Sequence, residues 1–274
     1  MADGPSLPRF LKQYGARRTG TNYLRALIRF NYPEADVVPL MHILGDKHAP
    51  PPPFDELWRR AQDDEDPAFS FVMSATRHAP PTDPSPDHPR QQQAVRQVAA
   101  PLARAFAEGA LGFLVSIKDP YAWVVSMSRY LGWTRWTSRA QPLSAHLAGE
   151  VELQCAEYNA CYAAWLELAR RLPQRCQVIR YEDVLADPAR TLDQLEARFG
   201  VRRGGGALVD LPTETELAVW DLDPTQPTPV PFDRSYYADR RYLARLPPPL
   251  VDVVTRSIDW ALVAPLGYAP VESA

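Results

Sequence analysis

Lysine is nearly missing from this chain. Lys12, Lys47 and Lys118 are its only ammonium groups, and 27 of its 30 basic residues are arginine. Cysteine is scarce too: Cys155, Cys161 and Cys176 show no metal-like or redox spacing, and an odd number argues against a disulfide-stapled scaffold. They read as reduced core thiols. No apolar run approaches the roughly 18 residues of a membrane helix, so stable membrane insertion is not expected. No basic stretch followed by an apolar one marks a secretory leader, and the expected location is the cytoplasm. The formal net charge of −3 excludes a global basic field, so nucleic acid is not an expected partner. What is present is 274 residues with 46% apolar content, 7 Trp, 12 Tyr and 9 Phe. That suffices for one sizeable core and is too little for two generous domains. With 29 prolines the composition has drifted toward Arg, Ala and Pro. Against that drift, each surviving lysine hints that an ammonium is wanted there.

The order of elements predicts an α/β chain. Phe10–Tyr14 reads as a short strand that enters a glycine-bracketed turn, and Leu24, Leu27 and Ile28 then fall on one helix face. Ala35–Leu40 reads as a second strand and Phe54–Ala61 as a short helix. Phe69–Ala75 is apolar and strand-like, and Ala79–Arg90 is a Pro- and Asp-rich loop. Gln91–Glu108, Tyr121–Leu131 and Val151–Leu172 read as helices, and Leu111–Ile117 and Gln177–Tyr181 as strands. Asp187-Pro188 opens a helix that places Leu192, Leu195 and Phe199 inward and stops at Gly200. An irregular stretch runs from Gly204 to Pro231, and helices follow from about Tyr236. Strands alternating with helices imply a parallel sheet covered on both faces, in one domain spanning 1–274, with 1–9 and 268–274 as flexible ends.

A strand, a glycine-bracketed turn and a helix make an anion cradle, because turn N–H groups and the positive helix end converge. Gly15-x-x-x-x-Gly20 has the spacing of a nucleotide P-loop, yet Thr21-Asn22 stands where a Walker motif has Lys-Ser/Thr. The cations come earlier, at Arg17 and Arg18. A plain βα turn with two solvated arginines is the competing account.

Arg18-Thr-Gly-Thr-Asn-Tyr-Leu24 resembles the 5′-phosphosulfate loop of sulfotransferases. The resemblance implies a single three-layer domain of the P-loop-like sulfotransferase fold, with 3′-phosphoadenosine 5′-phosphosulfate as donor and no metal. It implies that Arg17, Arg18, Thr19, Gly20, Thr21 and Asn22 hold the phosphosulfate end, with Tyr23 near the adenine. A second segment, Leu111–Ile117 followed by Lys118 and, eight positions on, Ser126, is similar to the family's 3′-phosphate segment. Lysine departs there from the more frequent arginine, keeping the charge and losing the bidentate fork. Arg180-Tyr-Glu-Asp is similar to a further family segment that sets Tyr181 near the base, although a structural tyrosine fits as well. Arg240 or Arg241, in a stretch like the C-terminal part of bacterial members, could close over the 3′-phosphate or lie on a solvated face.

Sulfuryl transfer needs positioning, cations about the leaving phosphate, and a base for the acceptor proton. Gly45-Asp-Lys-His48 resembles the Lys-His segment of bacterial members and makes His48 the expected base, with Lys47 neutralising charge on the transferring group. His48 could equally be a surface loop histidine, and His42, Asp46 and His78 compete for the role; His88 and His146 sit in polar contexts. Trp133 and Trp136 could stack on an acceptor or pack. The acceptor is a small molecule or glycan, and residues 49–110, the least familiar stretch, are expected to select it. Two other readings remain: a P-loop kinase or NTPase with a non-Walker loop, and a nucleotide-binding module without catalysis.

Overall fold

The structure, a computed structural model, describes residues 9–40, 43–78, 89–134, 148–210 and 234–271. Strand β1 (Arg9–Gly15) leads into α1 (Thr21–Asn31) and β2 (Val37–Leu40). Three helices follow, α2 (Phe54–Ala61), α3 (Pro67–Arg77) and α4 (Pro89–Ala107), before β3 (Leu111–Ile117). Then come α5 (Pro120–Thr134), α6 (Ala148–Arg171), β4 (Cys176–Arg180), α7 (Tyr181–Ala186) and α8 (Pro188–Phe199). The C-terminal part holds α9 (Ser235–Ala238), α10 (Pro248–Ser257) and α11 (Trp260–Val263). Among the described residues the sheet has four strands, all parallel, in the order β2-β1-β3-β4.

Side chains alternate across the sheet as a period of two demands. Phe10, Tyr14, Phe113 and Val115 face the larger core with α4, α5 and α6, while Leu11 and Leu114 face α1, α7 and α8. Helices therefore cover both faces of one α/β domain, as the alternating pattern predicts. From β1 the chain moves outward to β2, then returns past β1 to β3. The loops after β1 and β3 consequently diverge and leave a crevice between them at the carboxyl end of the sheet.

Two expectations are corrected. Phe69–Ala75 lies in α3, not in a strand. Asp66 accepts a hydrogen bond from the Phe69 amide and Pro67 occupies the first helical turn, so the chain is committed to a helix before the apolar run begins. Its buried residues Phe71, Val72, Ala75 and Thr76 repeat at helical spacing. Both ends of the described residues are hydrogen-bonded to the rest of the fold. Arg9 donates to the Gly109 carbonyl at 2.7 Å, Tyr268 to Glu182 at 2.6 Å, and the Val271 amide to Tyr121 at 2.9 Å. Tyr181 opens α7 and does not close β4. Most of the predicted loop 79–90, and the stretch 211–233, lie outside the described residues.

A row of aromatic rings runs beneath the crevice. Tyr158, Tyr162 and Trp165 lie on one face of α6, and Trp123 joins them from α5, with successive centroids 5.0, 4.3 and 5.0 Å apart. Each donates its polar hydrogen to a loop or strand-end carbonyl: Trp123 to Arg17, Tyr158 to Lys118, Tyr162 to Ser116, Trp165 to Ala49. Tyr158→Phe removes one such donor and nothing else. It is expected to cost about 1–3 kcal/mol by leaving the Lys118 carbonyl unpaired. Calorimetry should show a melting temperature lower by roughly 2–4 °C per kcal/mol, and an unchanged melting temperature would contradict the role given to this bond.

Candidate active site

At the end of β1 the backbone must pass close to β3. A Cβ on Gly15 would lie 2.8 Å from the Ser116 carbonyl oxygen, which leaves glycine as the fitting residue. The turn that follows contains two left-handed residues, Arg18 at φ 68° and Gly20 at φ 80°. At Gly20 the requirement is doubly strict, since a Cβ there would come within 2.1 Å of the Tyr181 ring. Thr19 is buried and donates its hydroxyl proton to the Ala16 carbonyl at 2.6 Å, closing the turn on itself. Gly20 is the N-cap of α1; no side chain caps this helix and no acidic residue lies in its first turn. The N–H groups of Thr21, Asn22 and Tyr23 thus belong to a positive helix end that has no intrahelical acceptor.

Lys118 follows β3 directly and is 2% exposed. Its Nζ donates to the Ser126 hydroxyl at 3.0 Å, the Tyr237 hydroxyl at 2.9 Å and the Arg18 carbonyl at 3.4 Å. The Tyr181 and Tyr237 rings lie 4.4 and 4.3 Å from the ammonium. A buried charge is tolerated here because three acceptors and two π faces replace its water. Next to it, Asp119 Oδ1 accepts from the Tyr121 and Ala122 amides and so caps α5. Burial raises the Asp119 pKa, against these bonds and against Arg240, whose guanidinium is 3.7 Å from Oδ2. Glu182 accepts from the Asp119 amide at 3.0 Å, and its own pKa is raised by burial.

The third wall is the loop after β2. Lys47 Nζ donates to Asn22 Oδ1 at 2.8 Å, at the head of α1. The Gly15 amide donates to the Lys47 carbonyl at 2.9 Å, and His48 Nδ1 lies 2.6 Å from the Gly15 carbonyl oxygen. A carbonyl can only accept, so Nδ1 carries the proton and Nε2 is the nitrogen with a lone pair. Burial lowers the His48 pKa to about 4; Lys47 and Arg17 add to the effect, and the Gly15 bond and Asp46 oppose it. Asp46 accepts from the His48 amide at 2.9 Å, which makes it a support for the histidine.

Arg18, Ser126 and Tyr181 thus meet Lys118, Asn22 meets Lys47, and His48 meets Gly15, so the turn from 15 to 22 joins these residues at the carboxyl end of the sheet, with the Arg17 backbone tied in through Trp123. Tyr23 is buried, and its hydroxyl meets Asp210 at 3.2 Å and Arg234 at 3.2 Å. Arg240 reaches this region through Asp119. Arg241 instead donates to Ser235 at 2.8 Å within its own segment. His78 ends α3 and is exposed, and Trp133 is carried by α5. His42, His88, His146 and Trp136 lie outside the described residues. Tyr237, Glu182 and Trp123 belong to the site and were not singled out from the sequence. Among the described residues, no group of three or more His, Cys, Asp or Glu is disposed to hold a metal ion. A cavity of about 510 Å³ lined by Phe30, Asn31 and residues 203–209 sits at the far end of α1 and contains none of these groups.

No protein-family model and no curated protein matches the chain. Among solved structures it is similar to the sulfotransferase domain from the Synechococcus PCC 7002 olefin synthase. The match has 16% identity over 97% of this chain and 96% of that one, with a TM-score of 0.46.

The neutral imidazole is testable by itself. In histidine-labelled protein, NMR is expected to show His48 titrating near pH 4 with the proton retained on Nδ1. Because the unfolded ring binds its proton near pH 6.5, His48 contributes stability above that pH and loses it as the pH falls toward 4. A midpoint at or above 6.5 would show that burial does not govern this ring.

Proposed function

We propose that the chain is a sulfotransferase that moves the sulfuryl group of 3′-phosphoadenosine 5′-phosphosulfate to a hydroxyl or amine of a small-molecule or glycan acceptor. The observation that carries the reading is the Lys118–Ser126 pair, eight residues apart in sequence and 3.0 Å apart in space. It is bonded through Arg18 to the loop that ends at the uncapped, acid-free start of α1. An ammonium with a hydroxyl and an open helix N-terminus, in one crevice, supply two separate anion-binding points, as a nucleotide phosphorylated at both ends requires.

When bound, the donor supplies the sulfuryl group and leaves as the 3′,5′-bisphosphate. Lys118 and Ser126 bind the 3′-phosphate, whose oxygen takes over the N–H that Lys118 now directs at Tyr237. The N–H groups of Thr21, Asn22 and Tyr23, with Arg17, Arg18, Thr19 and Gly20 shaping the loop, bind the phosphosulfate end. Tyr181 and Tyr23 flank the base, and Arg240 adds charge from the C-terminal segment. Lys47 stabilises the charge that develops on the transferring group, and His48 Nε2 takes the proton from the acceptor. Helices α2 to α4, built from the 49–110 stretch, select the acceptor.

Against the kinase or NTPase reading stands Lys47 on Asn22, outside the loop position where a Walker lysine would meet the terminal phosphates. Titration calorimetry in EDTA is expected to show binding of 3′,5′-bisphosphoadenosine. Lys118→Ala should weaken it about 10- to 100-fold, the worth of a charge-assisted hydrogen bond. His48→Ala should leave binding intact and slow transfer by about 10²- to 10⁴-fold, read by mass spectrometry of a cell extract incubated with the donor. Binding of ATP with Mg²⁺ in place of the bisphosphate would overturn the assignment. Binding with no product in any extract would favour a non-catalytic module.

A further inference from the structure

We infer that Lys12 is a positioning residue for His48, acting through the carbonyl of Gly45. The inference rests on the proposed function only in calling His48 a base; the contact network stands without it.

Lys12 lies in the middle of β1 with its side chain wholly buried. Its Nζ donates to the Gly45 carbonyl at 2.6 Å and lies 5.3 Å from the Tyr14 ring. A buried ammonium is costly, and an apolar residue of the same length would fill this part of the core without that cost. An arginine would bring five donors to satisfy instead of three. In a chain that otherwise favours arginine, keeping lysine here needs a purpose beyond packing.

The purpose is visible in the backbone it holds. Leu44 and Gly45 are consecutive left-handed residues, at φ 65° and 92°. Leucine is disfavoured in that region by roughly 1–2 kcal/mol, so the turn must be held from outside. Three bonds hold it: Lys12 to the Gly45 carbonyl, the Tyr14 hydroxyl to the Leu44 carbonyl at 2.9 Å, and the Leu44 amide to Thr76 at 3.1 Å. Three residues after Gly45 comes His48, which returns to β1 through Gly15. Strand β1 therefore grips the loop at its start through residues 12 and 14 and at its end through residue 15. With both ends fixed to one rigid strand, the orientation of the imidazole is set by that strand. Asp46 and Lys47 are the charged groups of the loop that act on Lys12, one favouring its charge and one opposing it; burial outweighs both and draws its pKa down to about 7.

The test compares Lys12→Met, which removes the donor, with Lys12→Gln, which offers a neutral one. His48 is followed by NMR in the absence of donor nucleotide. In Lys12→Met the His48 midpoint is expected to rise by about one pH unit or more toward 6.5, as the ring leaves its buried position. Lys12→Gln should recover at least part of the wild-type value, and serves as the folded comparison should the methionine variant fail to fold. Transfer should fall about 10-fold or more in kcat in Lys12→Met, with the donor KM changed less than about threefold, since the Lys118 site is untouched. An unchanged His48 midpoint in a folded Lys12 variant overturns the inference. A shifted midpoint in a protein that binds no bisphosphate overturns the sulfotransferase reading and leaves this one standing.

Discussion

Where β1 and β3 stop side by side, their last peptide groups lose the ladder that satisfied them, and the helices on both faces keep water away. Each such carbonyl must find a donor or cost about as much as a lost hydrogen bond. The chain supplies those donors from a single row of rings. Tyr158, Tyr162, Trp165 and Trp123 pack in contact and aim four polar hydrogens at the carbonyls of Lys118, Ser116, Ala49 and Arg17. Three rings on α6 and one on α5 thereby hold segments after β1, β2 and β3 that are far apart in sequence. Because these carbonyls are turned inward to the rings, the open N–H groups at the start of α1 remain for the other side of the crevice. Shape and polarity at the site follow from this one requirement.

The scarcity of lysine then acquires a structural meaning. All three lysines lie around the candidate site: Lys118 against two tyrosine rings set at right angles to each other, Lys47 on Asn22, and Lys12 beneath the turn that carries His48. An ammonium is compact and has three donors. The pocket around Lys118 offers Arg18, Ser126 and Tyr237, one acceptor for each. A guanidinium would bring five donors to those three acceptors. Lysine at this position therefore matches the number of acceptors around it, Tyr237 among them.

Much of this was legible in the sequence because it is local. The strand, glycine turn and helix at residues 10–31 announce themselves by spacing, whereas the interval from Lys118 to Ser126 was visible only through a resemblance to a known family. The error at α3 was local as well. Phe69–Ala75 is a short apolar run whose period is ambiguous, yet Asp66-Pro67 in front of it is the same cap-and-proline opening that identified the helix after Asp187-Pro188. Other features had no local signal. Tyr237 meets Lys118 across 119 residues, Glu182 meets the Asp119 amide across 63, and Lys12 meets Gly45 across 33. Nothing in the sequence around Lys12 distinguishes an ammonium in the core from one on a sheet edge. Only the crossing of the chain from β2 back over β1 gives it a carbonyl to hold.

The same crossing sets the chemical state of the proposed base. His48 is neutral because it is buried and because Lys47 and Arg17 disfavour a third positive charge beside them. A pKa near 4 keeps Nε2 free of a proton at neutral pH but makes it a weak base, well below the value at which proton transfer is most effective. On the proposed reading, the donor brings negative charge to the very cations that depress His48. Each offset cation moves the imidazole back toward its ordinary value, so the base gains strength as the crevice fills with anion. The fixed Nδ1 bond to Gly15 keeps the tautomer unchanged through that shift, and β1, which holds both Gly15 and Lys12, keeps the ring in place. On that reading the base is held rigidly and tuned by the charge of its co-substrate. The carboxylates closest at hand serve as backbone caps: Asp46 for His48, Asp119 for α5, and Glu182 for the Asp119 amide.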